Sequence, residues 1–529
     1  MEKIMFNTVN RHLIIGGVGI LLLLSLVLSV STVNADTYDT VINNGRIIDP
    51  ETGFDKVANI GINDGTIVTI TEQPIKGKKI IDATGLVVSP GFIDTHAHGQ
   101  NIGAYRNYAM QGVTTALELE SGILPIGKWY DIQEGKGLPI HFGAAAGWTF
   151  ARIATFEGTE PEPTAAYFQA AQGHNEWKED IASDKRLQKI LGLVEQGLNE
   201  GGLGIGINGG YAPGYGEKEY YALSKLAAQR GVAAYTHVRY MSMLEPQGTF
   251  EAIKELIANS VLTGAKMHIC HINSSSIRDI DATLELIERA QAKGIDISAA
   301  AYPWAAASTV VRAGMFTGPN WKQRTGYTPG SFQLGKNRLT DEQVDEYQIK
   351  APGTFITWHF LDENKPEELA ILDKSITHPN VMIESDAMPW MHKDGSPYEG
   401  DDWPLNPDLI AHPRSSGSFA KILGSYVRER KLLTLNEAIR KMSLMPAQLL
   451  EDFVPQMKKK GRLQEGMDAD IVIFNLKTIT NRATYENPTI AASGVQTLLV
   501  SGQLVIEKGV LIKEAAPGKA IRRELRSVN

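Results

Sequence analysis

One cysteine in 529 residues, Cys270, excludes an intramolecular disulfide and any cysteine-cluster zinc site. A metal site in this chain therefore has to be built from its 12 histidines and its carboxylates. Basic charge of the kind that follows a phosphate backbone is equally scarce. The formal net charge is -8, and the longest basic run, Lys458-Lys459-Lys460, reads as a solvated loop, which argues against a nucleic-acid partner. No internal repeat or low-complexity segment is evident. With 43% hydrophobic and 21% charged residues the composition is that of a globular protein, with chain enough for roughly two to four domains.

A long uncharged apolar run stands near the start, LIIGGVGILLLLSLVLSV over residues 13–30. Lys3 and Arg11 precede it and Val33-Asn34-Ala35 follows. Positive flank, apolar stretch and small-residue pattern predict an export signal over residues 1–35, cleaved before Asp36, with the mature chain periplasmic or secreted. The run is also long enough to span a bilayer, so an uncleaved signal anchor over 13–33 is the alternative.

The mature chain divides by pattern. Residues 36–89 read as short strands, with Asn44-Gly45 and Asp64-Gly65 placed as two-residue hairpin turns. From Pro90 to Lys460 apolar strand-like runs alternate with helical stretches, as in a parallel α/β fold. Candidate strands are 91–95, 114–120, 138–145, 203–207, 232–237, 265–271, 295–301 and 381–385, and eight such runs predict a (β/α)8 TIM-like barrel with its chemistry at the strands' C-terminal ends. Helices are expected over 250–262 and 277–292, and capping boxes at Thr434 to Glu437 and Thr340 to Gln343 mark two helix starts. Residues 302–377 form a long insertion, expected to serve as lid or substrate wall. Residues 461–529 return to strands and are expected to complete the sheet begun by 36–89, giving a composite β-sandwich.

Metal-capable side chains fall at the predicted strand ends: His96 and His98 after strand one, Glu120 ending strand two, His237 ending strand five, His271 ending strand six and Asp386 after strand eight. Two imidazoles in an H-x-H step can reach one cation, and four further groups would converge on the same barrel mouth. By strand parity His268 faces the helical layer. His141 lies within strand three, and His359, His378 and His392 read as surface or lid residues. Trp304, Trp321, Trp390 and Trp403 are candidates for the pocket wall or for ordinary core.

These residues carry a resemblance. PGFIDTHAH (90–98) resembles the entry motif of the amidohydrolase superfamily. Segments 202–214, 235–240, 412–429 and 461–475 are similar to its N-acyl-D-amino-acid deacylase (D-aminoacylase) branch, in the same order. The resemblance implies a barrel with a composite β-sandwich and one or two divalent metals per chain, usually zinc. It assigns His96 and His98 to the more weakly held metal, His237 and His271 to the tighter one, and Asp386 to the catalytic carboxylate. Tyr211 and Arg414 match residues that hold a substrate α-carboxylate. The chain departs from the branch where a cysteine ligand stands near the end of strand two: Ser121 occupies that place, with Glu120 beside it and Glu118 on the same strand face. Asn273 and Ala300 replace a Lys and an Asp of the branch.

The expected activity is metal-dependent hydrolysis of linear amide C–N bonds in small N-acyl-D-amino acids or related peptide-like compounds, with Asp386 as proton shuttle. A dipeptidase or a cyclic-amide hydrolase of hydantoinase or dihydroorotase type is the alternative on the same scaffold. A catalytically inactive solute- or metal-binding protein is the alternative of another class.

Overall fold

A computed structural model describes residues 37–525. The predicted leader lies outside them, and no described helix is long and apolar enough to cross a membrane. The first five strands are β1 (Thr37–Asp49), β2 (Phe54–Asn63), β3 (Thr66–Thr71), β4 (Lys76–Asp82) and β5 (Val87–Pro90). Asp64-Gly65 is the β2–β3 hairpin turn, both residues at positive φ. Asn44-Gly45 is not a turn. It is a bulge inside the continuous β1, where the register against β2 shifts, β4 leaves the other edge of β1 and β5 takes its place. The residue pair suits both uses because either needs φ > 0 at Asn44, here 59°. Gly45 is required by packing: a Cβ there would lie 2.4 Å from the Val88 side chain.

Seven strands follow that belong to one parallel sheet, β6 (Phe92–Asp94), β7 (Val113–Ile123), β8 (His141–Gly147), β9 (Ile205–Asn208), β10 (Ala233–His237), β11 (Lys266–Ile269) and β12 (Ile297–Ala301). After β12 the chain departs into a small antiparallel sheet of β13 (Ala306–Val310), β14 (Phe332–Leu334), β15 (Asn337–Arg338) and β16 (Phe355–His359). It returns through helix Pro366–Thr377 to β17 (Val381–Ile383), which pairs with β12. The insertion therefore ends before Pro366, because the last helix of the 302–377 segment is the crossover that a parallel strand pair requires.

The eight strands run in chain order from β6 to β17, and the ring closes above their ends. Ala387 N–H donates to His96 O, His98 N–H donates to Ala387 O, and buried Asp94 accepts from the Ser385 N–H and hydroxyl. Burial raises the Asp94 carboxyl to about 7 against the pull of those donors. Small and branched side chains fill the interior, including Ile93, Leu117, Ala145, Ala233, Ala300 and Met382, with Leu450 and Val454 joining them. His268 belongs here and not to the helical layer. It packs edge-on against Tyr235 and its Nδ1 lies 2.8 Å from Ser298 Oγ. The parity argument fails because β11 stops at Ile269 and the backbone turns through His271 at φ 33°.

The last strands, β18 (Ile471–Phe474), β19 (Val495–Val500), β20 (Gln503–Glu507) and β21 (Val510–Leu511), join the first five: β18 pairs with β5, giving one nine-stranded sheet. Its core mixes residues from both chain ends, among them Ile47, Ile60, Val88, Leu463, Ile471 and Leu499. Helices cover Thr249–Thr263 and Ile280–Gln291, and both capping boxes form. Lys460 is not in a solvated loop: it is buried, with its ammonium on Asp468 and Asp470.

Candidate active site

The mouth gathers His96, His98, Glu120, His237, His271 and Asp386 into one buried cluster. Three overlapping sets each bring a donor atom of every member within 4.8 Å of the others: His96, His98 and Glu120; His96, His271 and Asp386; Glu120, His237 and His271. Glu120 is shared by the first and the third. It lies within β7, which runs on to Ile123, rather than at the end of that strand. Its Oε2 is 3.2 Å from His96 Nε2, and its Oε1 is 2.6 Å from His271 Nε2 and 3.1 Å from His237 Nδ1. Glu118 does a different job. Its Oε2 accepts from His98 Nδ1 at 2.7 Å, and its Oε1 accepts from the Ser121 N–H.

Outer partners aim the rings. His98 Nδ1 is held by Glu118, His96 Nδ1 stands 3.2 Å from Glu384 Oε1, and His271 Nδ1 lies 3.2 Å from the hydroxyls of Ser274 and Ser275. With those nitrogens carrying the proton, three Nε2 lone pairs point inward at Glu120. His96 Nε2 and His98 Nε2 approach to 3.0 Å, as do His271 Nε2 and His237 Nδ1. Neutral imidazoles and carboxylates converging in this way form a donor set that fits one or two divalent cations of zinc type. Gly210 makes room for the His237 ring, since a Cβ there would fall 2.6 Å from its Nε2.

The same groups perturb one another strongly. Burial opposes charge on Glu120, yet His96, His271 and His237 hold its carboxyl well below the usual range. Burial likewise opposes charge on His96 and His98, but the carboxylates beside them, Glu120 first for one and Glu118 for the other, raise both rings well above the ordinary histidine value. At His237 burial outweighs Glu120 and the ring sits below it.

Asp386 and His271 both occupy the left-handed region, at φ 51° and 33°, a conformation that costs a non-glycine residue roughly 1–3 kcal/mol and that clusters at functional sites. Their turns are held from outside: the His271 N–H donates to Glu384 Oε1 at 2.7 Å. Asp386 Oδ1 lies 3.4 Å from His96 Nε2, and its Oδ2 is 2.8 Å from Arg414 Nη1. Burial works against its charge, but Arg414 and His96 draw the carboxyl down to about 2. Arg414 opens helix Arg414–Lys421, donates through Nη2 to Ser308 O at 3.3 Å, and leaves Nε buried with no hydrogen-bond partner among the described residues. The Tyr211 hydroxyl accepts from Thr309 Oγ1 at 2.7 Å, which leaves its own proton free to donate into the site.

All eight residues singled out in the sequence thus meet at one mouth. Glu384, Asn208 and Thr309 were not among them. Glu384 stands two residues before Asp386 on the same strand end, a signal that was readable. Asn208 Nδ2 donates to Glu120 Oε2 and to Ser121 Oγ, so Ser121 carries no contact to the histidines but props the shared carboxylate through Asn208. Of the four tryptophans considered for the pocket, none lines the main cavity. Trp304 packs on His412 and Tyr485, and the cavity wall has Trp129 instead. His141 is at the opposite end of the barrel, His359 packs on Tyr485, His378 pairs with Glu288 and His392 is exposed.

A profile of the amidohydrolase family matches residues 79–506. The chain belongs to the amidohydrolase family. Among curated relatives within it, N-acyl-D-glutamate deacylase from Alcaligenes xylosoxydans xylosoxydans is 27% identical over 518 residues, covering 92% of this chain and 97% of the relative. D-aminoacylase from the same organism is 27% identical over 515 residues, covering 93% and 99%. Among solved structures, that of N-acyl-D-glutamate deacylase from Bordetella bronchiseptica, complexed with zinc and a phosphonate mimic of the tetrahedral intermediate, superposes with a TM-score of 0.72 at 22% identity, covering 92% of this chain and all of the other. That likeness establishes the barrel and its appended sheet as this family's fold.

Proposed function

We propose that this amidohydrolase is a metal-dependent hydrolase of linear amide C–N bonds that deacylates N-acyl-D-amino acids or related peptide-like compounds. The observation that carries the reading is the shared Glu120 carboxylate between two histidine pairs, with Asp386 alongside. The full-length similarity to D-aminoacylase and N-acyl-D-glutamate deacylase supports the substrate class. His96, His98, Glu120, His237, His271 and Asp386 would hold one or two cations, zinc by the nature of the nitrogen-rich donor set. When bound, such a cation lowers the pKa of a water toward neutrality and polarises the amide carbonyl.

The chain's own residues supply the rest. Asp386, kept ionised by Arg414 and His96, accepts the proton of the attacking water and passes it to the leaving nitrogen. The Tyr211 hydroxyl donates to the developing oxyanion. Arg414 offers its unpartnered Nε to a substrate carboxylate. Glu118, Glu384 and the Ser274–Ser275 hydroxyls keep the imidazoles in place. We also propose, from the pattern of residues 1–35, that the protein is exported and acts outside the cytoplasm on small molecules.

The deciding experiment is a panel of N-acetyl-D- and N-acetyl-L-amino acids, dipeptides and hydantoins, run on zinc-reconstituted mature protein. Release of acetate from the D-series supports the proposal. Turnover restricted to L-substrates, dipeptides or cyclic amides overturns it, and zinc binding with a wild-type rate equal to that of Asp386→Asn indicates a binding protein.

A further inference from the structure

The two histidine pairs are not built alike. Around His96 and His98 the donor atoms stand at nearly equal separations: His96 Nε2 is 3.0 Å from His98 Nε2, 3.2 Å from Glu120 Oε2 and 3.4 Å from Asp386 Oδ1, and His98 Nε2 is 3.5 Å from each of those two oxygens. A tetrahedral cation with bonds of about 2.0–2.1 Å needs its donors about 3.3–3.4 Å apart, and these separations fit the edges of that cage. Arg414 Nη1 holds Asp386 Oδ2 at 2.8 Å, which leaves Oδ1 to the histidines. The outer nitrogen of each ring faces a carboxylate oxygen, Glu118 at 2.7 Å from His98 Nδ1 and Glu384 at 3.2 Å from His96 Nδ1.

Around His237 and His271 three donors meet. His271 Nε2 lies 2.6 Å from Glu120 Oε1 and 3.0 Å from His237 Nδ1, and Oε1 lies 3.1 Å from His237 Nδ1, a triangle contracted to hydrogen-bonding distances. Hydroxyls of Ser274 and Ser275 stand at His271 Nδ1, and the outer His237 nitrogen, Nε2, is buried with no hydrogen-bond partner among the described residues. The space beside this triangle is about 20 Å³, room for about one water, whereas the first set opens through His98 to a cavity of about 490 Å³.

We propose that the tighter cation of this protein is held by His96, His98, Glu120 and Asp386, and that His237 and His271 take a second, weaker one. This rests on the metal-hydrolase reading above. It reverses the order that the D-aminoacylase resemblance implies, and the difference lies in Glu120. A single thiolate sulfur is the same atom for both cations, whereas the carboxylate gives Oε2 to the first set and Oε1 to the second. Asp386 and the carboxylates behind the rings then decide the order. Two carboxylates face the first cation against one for the second, and in a buried site that extra charge outweighs an equal number of imidazoles.

The test is stepwise zinc binding to metal-free mature protein, with free zinc set by a competing chelator, for the wild-type chain, His98→Gln, His237→Gln and Glu118→Gln, each first checked for folding by circular dichroism. His98→Gln weakens the first equivalent about 100-fold or more, and Glu118→Gln, which leaves every inner donor in place, weakens it about 10–100-fold. His237→Gln leaves the first equivalent nearly unchanged and weakens or removes the second. Where a histidine variant fails to fold, Glu118→Gln decides alone. The mirror pattern, with the first equivalent lost in His237→Gln and untouched in the other two variants, or equal weakening in all three, overturns the order and leaves the metal-hydrolase reading standing. Zinc bound in the expected order by a chain that turns over no amide supports the order and defeats the hydrolase reading. No zinc bound by the wild-type chain overturns both.

Discussion

The two ends of the barrel both bury histidine against carboxylate, and they treat it in opposite ways. At the base, His141 opens β8 and its Nε2 meets Asp470 Oδ1 at 3.1 Å, while its Nδ1 accepts from the Lys519 N–H. Asp470 also accepts from the Ser501 N–H and from Lys460, and Lys460 donates on to Asp468. Each of those polar groups has a partner of complementary kind, and the network ties the C-terminal strands to the barrel. At the mouth, lone pairs face lone pairs, Glu120 is shared by three imidazoles, Arg414 Nε has no partner among the described residues, and two backbones sit at positive φ. Burial alone therefore does not mark a functional polar group in this fold. What sets the mouth apart is that several lone pairs of titratable groups converge on one point there, at the end where barrel enzymes keep their chemistry.

Substitutions should separate the two ends, the mouth failing in rate or metal content and the base in stability. Asp386→Asn removes the proton acceptor while keeping shape, and kcat per folded molecule for amide hydrolysis should fall about 10³-fold or more, read by steady-state kinetics, while the loss of Arg414's counter-charge lowers the melting temperature as well. Asp470→Asn leaves Lys460 buried without its main counter-charge and should cost about 3–5 kcal/mol in denaturant unfolding, with kcat per folded molecule unchanged. Glu118→Gln weakens the hold on His98 and should lower zinc affinity about 10–100-fold in a competition titration against a chelator.

The smallest expected effect is the pH dependence that the base contributes. Burial, then Lys460, lowers the His141 pKa below its ordinary 6.5, so the unfolded chain takes up a proton first as pH falls. Asp470 is likewise held far below the carboxylate range, against its burial, by Lys460 and His141. The contribution of His141 is thus complete above about pH 6.5 and shrinks as acid is added, and that of Asp470 is lost only below about pH 4. The margin in melting temperature of wild type over His141→Gln should shrink as pH falls from about 6.5 to about 5.5.

Much of the fold was legible in the sequence because parallel barrel strands are apolar on both faces and are separated by amphipathic helices, a pattern that short runs such as VAAYTH and IDISAAA display. The mouth was legible because its ligands sit where those runs stop. Positions decided by partners rather than by local pattern were not. Asn44-Gly45 has the φ > 0 chemistry of a hairpin turn, and only the exchange of β4 for β5 along β1 makes it a bulge. Lys460 reads as part of a basic loop until Asp468 and Asp470 fold onto it. His268 was misassigned because counting by twos from His271 crosses a backbone turn. The division of labour between Glu118 and Glu120 could not be read from parity, which places both on one face; it is set by which rings the neighbouring strands bring across.

The central claim is that Glu120 joins the two histidine pairs into one cation site. Zinc titrated into metal-free protein and into its Glu120→Ala variant, followed by calorimetry, tests it most directly. The account predicts one or two equivalents bound by the wild-type chain and loss of at least one equivalent, or weakening by about 100-fold, in the variant. Identical stoichiometry and affinity in the two proteins would contradict it.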